Sequence, residues 1–217
     1  MTAELQALIA ELKLPQDQLG GCVELPNFDR SHLATLFGKL KYKAGAEIGV
    51  ETGRYSQLLL SRNPFIQKLY LVDAWKKYAD YRLHVPQSQV DGLLAHAQQR
   101  LQPYSTITQF VRMFSLDAVK KFKDGSLDFV YIDANHSLPH VMDDLCAWAP
   151  KVRQGGIVAG HDYRRNRNVG RTQCHVVEAV CAYVAAFQIK PWFVLGSKDP
   201  VEGEFRDKNR SFFWVVE

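Results

Sequence analysis

The segment 127–163, LDFVYIDANHSLPHVMDDLCAWAPKVRQGGIVAGHDY, constrains this chain more than any other. It reads as a buried strand, a polar turn, a helix, a Gly-Gly turn and a second buried strand that ends in His-Asp. Open α/β sheets hold their ligands outside the carboxyl ends of the strands. Asp133, Asn135, His136, His161 and Asp162 are therefore expected to converge at one edge of one sheet, where acids and imidazoles together form a reactive constellation.

The rest of the chain repeats the same alternation. Strands are predicted at 46–50, 69–73, 107–111, 127–133, 157–161, 192–195 and 212–216, with helices between them at 55–61, 87–101, 116–122, 138–148 and 174–187. Such alternation argues for an α/β fold, a mostly parallel seven-stranded sheet with helices on both faces. The last two strands follow one another without a helix, which predicts that the final strand inserts antiparallel. Ahead of the repeating units, Leu5, Leu8, Ile9 and Leu12 recur at helical spacing and Pro15 stops that helix. Gly20, Gly21, Pro26 and Asn27 mark a loop, and Ser31 is the predicted cap of a short helix running toward Leu40.

Composition narrows the class. A chain of 217 residues, 47% hydrophobic, fits one large domain with a substantial core. Its formal charge of +4 is only mildly basic and lacks the clustered excess of a dedicated nucleic-acid binder. Cys22, Cys146, Cys174 and Cys181 have no Cys-x-x-Cys spacing; three of them sit among apolar helical residues and read as reduced, buried and structural. The N-terminus lacks the basic start and continuous apolar core of a signal peptide, and no run approaches membrane-spanning length. A soluble, cytoplasmic protein is expected.

The first strand and turn, AEIGVETGRYSQLLL, place Glu47 in the strand and Gly49 and Gly53 in the turn before an apolar helix. Glycines there permit positive φ and let a ligand approach the backbone. The next strand ends in Asp73, 20 residues after Gly53, the separation at which an acid meets ribose hydroxyls in nucleotide-binding βαβ units. A dinucleotide site would carry a third glycine and face a pyrophosphate. A carboxylate at Glu47 instead suits a cationic amino-acid moiety.

Taken together, E-I-G-x-x-x-G-R-Y-S, L-V-D-A-W, D-F-V-Y-I-D-A-N-H-S and G-G-I-V-A-G-H-D-Y resemble the class I S-adenosylmethionine-dependent methyltransferases, particularly the small-molecule branch labelled methyltransferase 24, over residues 44–163. The resemblance implies the Rossmann-like methyltransferase fold, with residues 43–217 as the S-adenosylmethionine-binding catalytic domain; residues 1–42, outside the resemblance, are expected to form a helical lid or dimer segment. It implies that Glu47 supports the methionine end, Gly49 and Gly53 line the turn, Ser56 stands at the helix start and Asp73, with Ala74 beside it, holds the ribose. Ser115 falls where such enzymes contact adenine, and Met113, Phe114 and Trp75 are candidate walls for the ring.

For the acceptor half, the resemblance to metal-assisted O-methyltransferases puts Asp133 and Asp162 at the positions of two metal-binding acids. Tyr163 stands where that branch has Asn, and His161 and Tyr163 flank Asp162 in a pattern of their own. Oxygen ligands suit Mg²⁺, while His136 and His161 suit a softer divalent ion. Without a metal, His136 or His161 is the general base, because imidazole titrates near neutrality. His140, Asp143 and Asp144 read as the solvated face of a helix. Arg164 and Arg165 open a segment of four arginines through Arg171 that predicts an acidic small-molecule acceptor, with Tyr163 beside it. RNA methylation, a non-catalytic cofactor-binding interaction protein and a nicotinamide dehydrogenase are the competing functions.

Overall fold

The computed structural model of the protein describes residues 1–77, 86–165, 174–197 and 209–217. Eight strands form one sheet: β1 Cys22–Leu25, β2 Ala44–Ile48, β3 Lys68–Asp73, β4 Thr108–Arg112, β5 Leu127–Ile132, β6 Val152–Gly160, β7 Trp192–Leu195 and β8 Ser211–Val215. The helices are α1 Ala3–Glu11, α2 Arg30–Lys39, α3 Arg54–Arg62, α4 Gln87–Leu101, α5 Ser115–Ala118, α6 Leu138–Trp148 and α7 Val176–Ala186. The strand order is β1-β7-β8-β6-β5-β2-β3-β4. Among the described residues only β8 runs antiparallel, against both β6 and β7.

All seven predicted strands are present. The eighth, β1, occupies the segment read as loop from its Gly-Gly and Pro-Asn flanks. Four residues are too few to declare a period, and β1 exists because it pairs in parallel with β7, Val23 opposite Phe193. Asp29, not Ser31, caps α2: its carboxylate accepts the backbone N–H groups of Ser31 (2.8 Å) and His32 (3.3 Å). A carboxylate at that position serves the same orphan donors a hydroxyl would.

The helices bury one apolar face each on the two sides of the sheet. On one side Leu5, Leu8, Phe37, Leu59 and Phe129 join a single cluster, so α1 and α2 belong to the same core as the central strands. Phe37 stacks on Phe129 with centroids 4.3 Å apart. On the other side Val141, Leu145, Trp148, Val180 and Trp214 pack together beneath α6 and α7. Each such side chain contributes roughly 1.5–3 kcal/mol by leaving water. Of the four free cysteines only Cys174 is buried; Cys22, Cys146 and Cys181 are exposed, although apolar helical neighbours suggested burial for Cys146 and Cys181.

Chain direction reverses at the centre of the sheet. From β2 the chain adds β3 and β4 on one side, then returns to add β5 and β6 on the other. That switch point leaves a crevice between the carboxyl ends of β2 and β5, the position where doubly wound sheets bind ligands.

Candidate active site

A cavity of about 760 Å³ opens over this switch point, within the size range of small-molecule sites. Its walls come from the ends of β2 to β6 and the loops that follow them, and they include Glu47, Asp73, Phe114, Asp133 and Asp162.

The β2–α3 turn forms the floor. Gly49 has φ +92°, and a Cβ there would collide with the carbonyl oxygen of Asp133, so this glycine is demanded first by the close approach of β2 to β5. Gly53, φ +71°, starts α3. Glu47 is 2% exposed and accepts the hydroxyl hydrogen of Ser56, itself fully buried. Ser56 thus acts on Glu47 and does not itself line the cavity. Burial pushes the Glu47 carboxyl up to about 8, against the lowering effect of the Ser56 hydrogen bond and with Asp133 adding to the rise.

Asp73 ends β3 as expected, and it is more occupied than its sequence position implied. One carboxylate oxygen accepts the N–H groups of Val50 and Glu51, each at 3.0 Å, and the other accepts that of Trp75 at 2.8 Å. A carboxylate has about four lone-pair sites, so one remains for a ligand hydroxyl. Asp73 therefore fixes the turn as well as facing the cavity. Ala74 lines the wall beside it, and Trp75 is buried with its indole N–H donated to the Glu51 carbonyl at 2.9 Å.

At the other end, Met113, Phe114 and Ser115 follow β4 into the cavity wall, Phe114 with 39% exposure. The Ser115 hydroxyl accepts from Trp148 Nε1 at 2.7 Å and donates to Asp144. Asp144 was expected on a solvated helix face; it is 4% exposed instead and turned toward Ser115. Burial pushes its carboxyl up to about 6, with Ser115 opposing and Asp143 adding. An acid four residues before a core tryptophan looks the same in sequence whether it faces in or out. Asp143 is exposed and His140 half-buried, and both still border the cavity.

The cluster anticipated from 127–163 forms. His136 Nε2 lies 3.0 Å from Asp162 Oδ2 and 3.4 Å from Asp133 Oδ1. His161 Nδ1 lies 3.6 Å from Asp133 and 3.9 Å from Asp162. Donor atoms of Asp133, His136 and Asp162 all fall within 4.8 Å of one another. Burial disfavours the charged form of His136, but hydrogen bonds to Asp133 and Asp162 outweigh it and raise its pKa to about 9. At neutral pH an imidazolium therefore stands between two carboxylates, a state opposite to that of the general base expected of His136. Burial likewise opposes ionisation of Asp162, yet His136, His161 and Arg164 hold its carboxyl well below the usual range. Asn135 is buried and its side-chain oxygen accepts the Ser137 N–H at 2.9 Å at the start of α6, so that lone pair is committed to the turn.

The three residues expected to meet the acceptor separate. Arg164 Nε pairs with Asp162 at 3.2 Å and Arg165 Nε with Glu178 at 3.0 Å. Tyr163 turns away from the cavity into the core, 6% exposed, against Trp192 and Phe212; the chain has left β6 at Gly160 and turns at Asp162, whose φ is +53°. Arg167 and Arg171 lie outside the described residues. Sequence reasoning missed Arg30 at the start of α2, whose guanidinium lies 3.8 Å from Asp133 and over the ring of Tyr55. No local pattern marks it, since it reaches the site only through the packing of α2 on α3.

This arrangement defines the class: a doubly wound sheet with an acid-bearing cofactor turn and a second acidic cluster at one switch point. The methyltransferase domain family matches residues 46–163, more than half of the chain, and the chain belongs to that family, an S-adenosylmethionine-dependent methyltransferase. In fold it is similar to an O-methyltransferase from Bacillus cereus solved in complex with S-adenosylhomocysteine, TM-score 0.63 at 13% identity over 99% of this chain and 91% of that one. It is also similar to the O-methyltransferase TomG from Streptomyces achromogenes, involved in tomaymycin synthesis and solved with S-adenosylmethionine, TM-score 0.58 at 16% identity over 100% and 91% of the two chains. No curated protein matches the sequence. Among the described residues no helix is long and apolar enough to cross a membrane.

Proposed function

We propose that this enzyme transfers the methyl group of S-adenosylmethionine to an oxygen atom of a small, anionic acceptor. The observation that carries the reading is that a single cavity contains both the buried Glu47 over the cofactor turn and the Asp133–His136–His161–Asp162 cluster. The cofactor's ammonium group suits Glu47, because a cation offsets the cost of ionising a buried carboxyl. Asp73 offers its remaining lone pair to a ribose hydroxyl, and Phe114 and Met113 flank the adenine.

Transfer is an in-line displacement: a carbon–oxygen bond forms as the carbon–sulfur bond breaks, and the acceptor's proton must leave. Orientation and deprotonation are the tasks of this chain. We assign the proton to His161, which lies beside both carboxylates, and the orientation of the acceptor's charge to Arg30. Two carboxylates and an imidazole suit a divalent cation, for which Asp133, His136 and Asp162 would be the ligands. A cation held there would polarise the acceptor oxygen. Residues 1–42 carry Arg30, so this segment contributes to the acceptor end.

The test is a screen with methyl-labelled S-adenosylmethionine against matched neutral and carboxylated phenols and alcohols. Turnover of carboxylated acceptors, with a Michaelis constant raised by Arg30→Ala and little change in kcat, supports the reading. Equal turnover of neutral compounds removes the anionic part, and label found on nitrogen removes the oxygen assignment.

A further inference from the structure

We propose that the consecutive residues Cys174 and His175 are positioning residues for the acidic cluster, Cys174 holding the turn of Asp162 and His175 the turn of His136; this rests on the divalent-cation reading above. His136 follows β5 and Asp162 follows β6, so the 3.0 Å contact between their side chains joins two separate loops. An imidazole and a carboxylate that share one ion tolerate only small displacements, and the groups that orient them matter nearly as much as the ligands.

His175 grips the first loop at two points. Its backbone N–H donates to the carbonyl oxygen of His136 at 2.8 Å, and its Nδ1 accepts the backbone N–H of Leu138 at 3.2 Å. The second bond stands in for a cap. Ser137 precedes α6, but its hydroxyl bonds His140 Nδ1 at 2.7 Å and caps no backbone amide, so an orphan donor in the first turn of α6 is met from the head of α7. A ring nitrogen that accepts carries no hydrogen, which places the imidazole hydrogen of His175 on Nε2. Cys174 grips the second loop. Its thiol is buried, with Sγ 3.4 Å from the carbonyl oxygens of both Asp162 and Arg164. Asp162 stands there at φ +53°, a left-handed backbone that persists where the surroundings hold it. Two adjacent residues thus tie the loops of two different strands to one point.

The alternative is ordinary packing of α7 against α6. Mn²⁺ affinity at one fixed pH, read by electron paramagnetic resonance of free Mn²⁺ on the full chain, separates the two, with S-adenosylhomocysteine affinity and urea denaturation measured alongside. Asparagine places its oxygen where Nδ1 stands, whereas glutamine places its polar atoms near Nε2. His175→Gln should therefore weaken Mn²⁺ binding roughly tenfold to a hundredfold, the usual effect of removing a partner that orients a ligand. His175→Asn should restore affinity close to that of wild type, and both variants should bind S-adenosylhomocysteine unchanged. Cys174→Ala should weaken Mn²⁺ binding in the same direction through Asp162, and it serves if the His175 variants do not fold. Lowered stability with Mn²⁺ affinity kept is the packing outcome and overturns the assignment. Rescue by glutamine and not by asparagine would make His175 a ligand through Nε2 and overturns it too. Wild type that binds no Mn²⁺ would instead remove the cation reading, and this assignment with it.

Discussion

Ser56, fully buried in the first turn of α3, donates its hydroxyl hydrogen to Glu47 at the floor of the cavity. The carboxyl sits at about 8 because burial outweighs that bond. An acid whose pKa is raised on folding binds more protons native than unfolded, so its contribution to stability falls as pH rises from its ordinary value of 4.5 through about 8. Glu47→Gln keeps an acceptor for Ser56 and removes the charge. It should melt higher than wild type at about pH 9 and nearly equal to it at about pH 5; thermal denaturation at the two pH values checks this.

The same shift couples cofactor binding to protons. Near neutral pH Glu47 is mainly protonated in the empty protein, and an ammonium group beside it favours ionisation. Binding of S-adenosylhomocysteine should release a proton, and affinity should rise with pH until about 8. Calorimetry in buffers of different ionisation enthalpy measures the release; proton uptake, or none, would contradict the placement of the ammonium at Glu47.

Divalent cations should release a proton as well. His136 must be neutral to ligate, and it holds its proton up to about 9 between Asp133 and Asp162. Mn²⁺ affinity should therefore rise about tenfold per pH unit below that value, and Asp162→Ala should abolish it. Electron paramagnetic resonance of free Mn²⁺ reads both. Affinity independent of pH would place the ion away from His136.

Tyr163 belongs to the core, so Tyr163→Phe should leave acceptor Michaelis constants unchanged. Tyr163→Ala should destabilise the protein by roughly 3–5 kcal/mol, as removal of a buried aromatic does. Urea denaturation and steady-state kinetics test the pair. A raised Michaelis constant with Tyr163→Phe would return this residue to the site.

Much of this was legible in the sequence, because the central strands announce themselves as apolar runs and the topology dictates where their ends lie. Asp133, His136, His161 and Asp162 meet for that reason alone. The unread parts depend on side-chain direction and long-range packing. Tyr163 follows Asp162 by one residue and faces the other way. Asp144 looks solvated until Ser115 and Trp148 are placed beside it. Arg30 arrives from a helix remote in sequence, and β1 becomes a strand only because β7 lies alongside it.

The most direct measurement is calorimetric titration of S-adenosylhomocysteine into wild type, Glu47→Gln and Ser56→Ala. Asp73→Ala is less informative, since it deletes three backbone hydrogen bonds together with any ligand contact. Saturable one-site binding by wild type, weakened about tenfold or more by Glu47→Gln and less by Ser56→Ala, is the predicted result. Wild type that binds no S-adenosylhomocysteine, or Glu47→Gln that binds it as wild type does, would contradict the account.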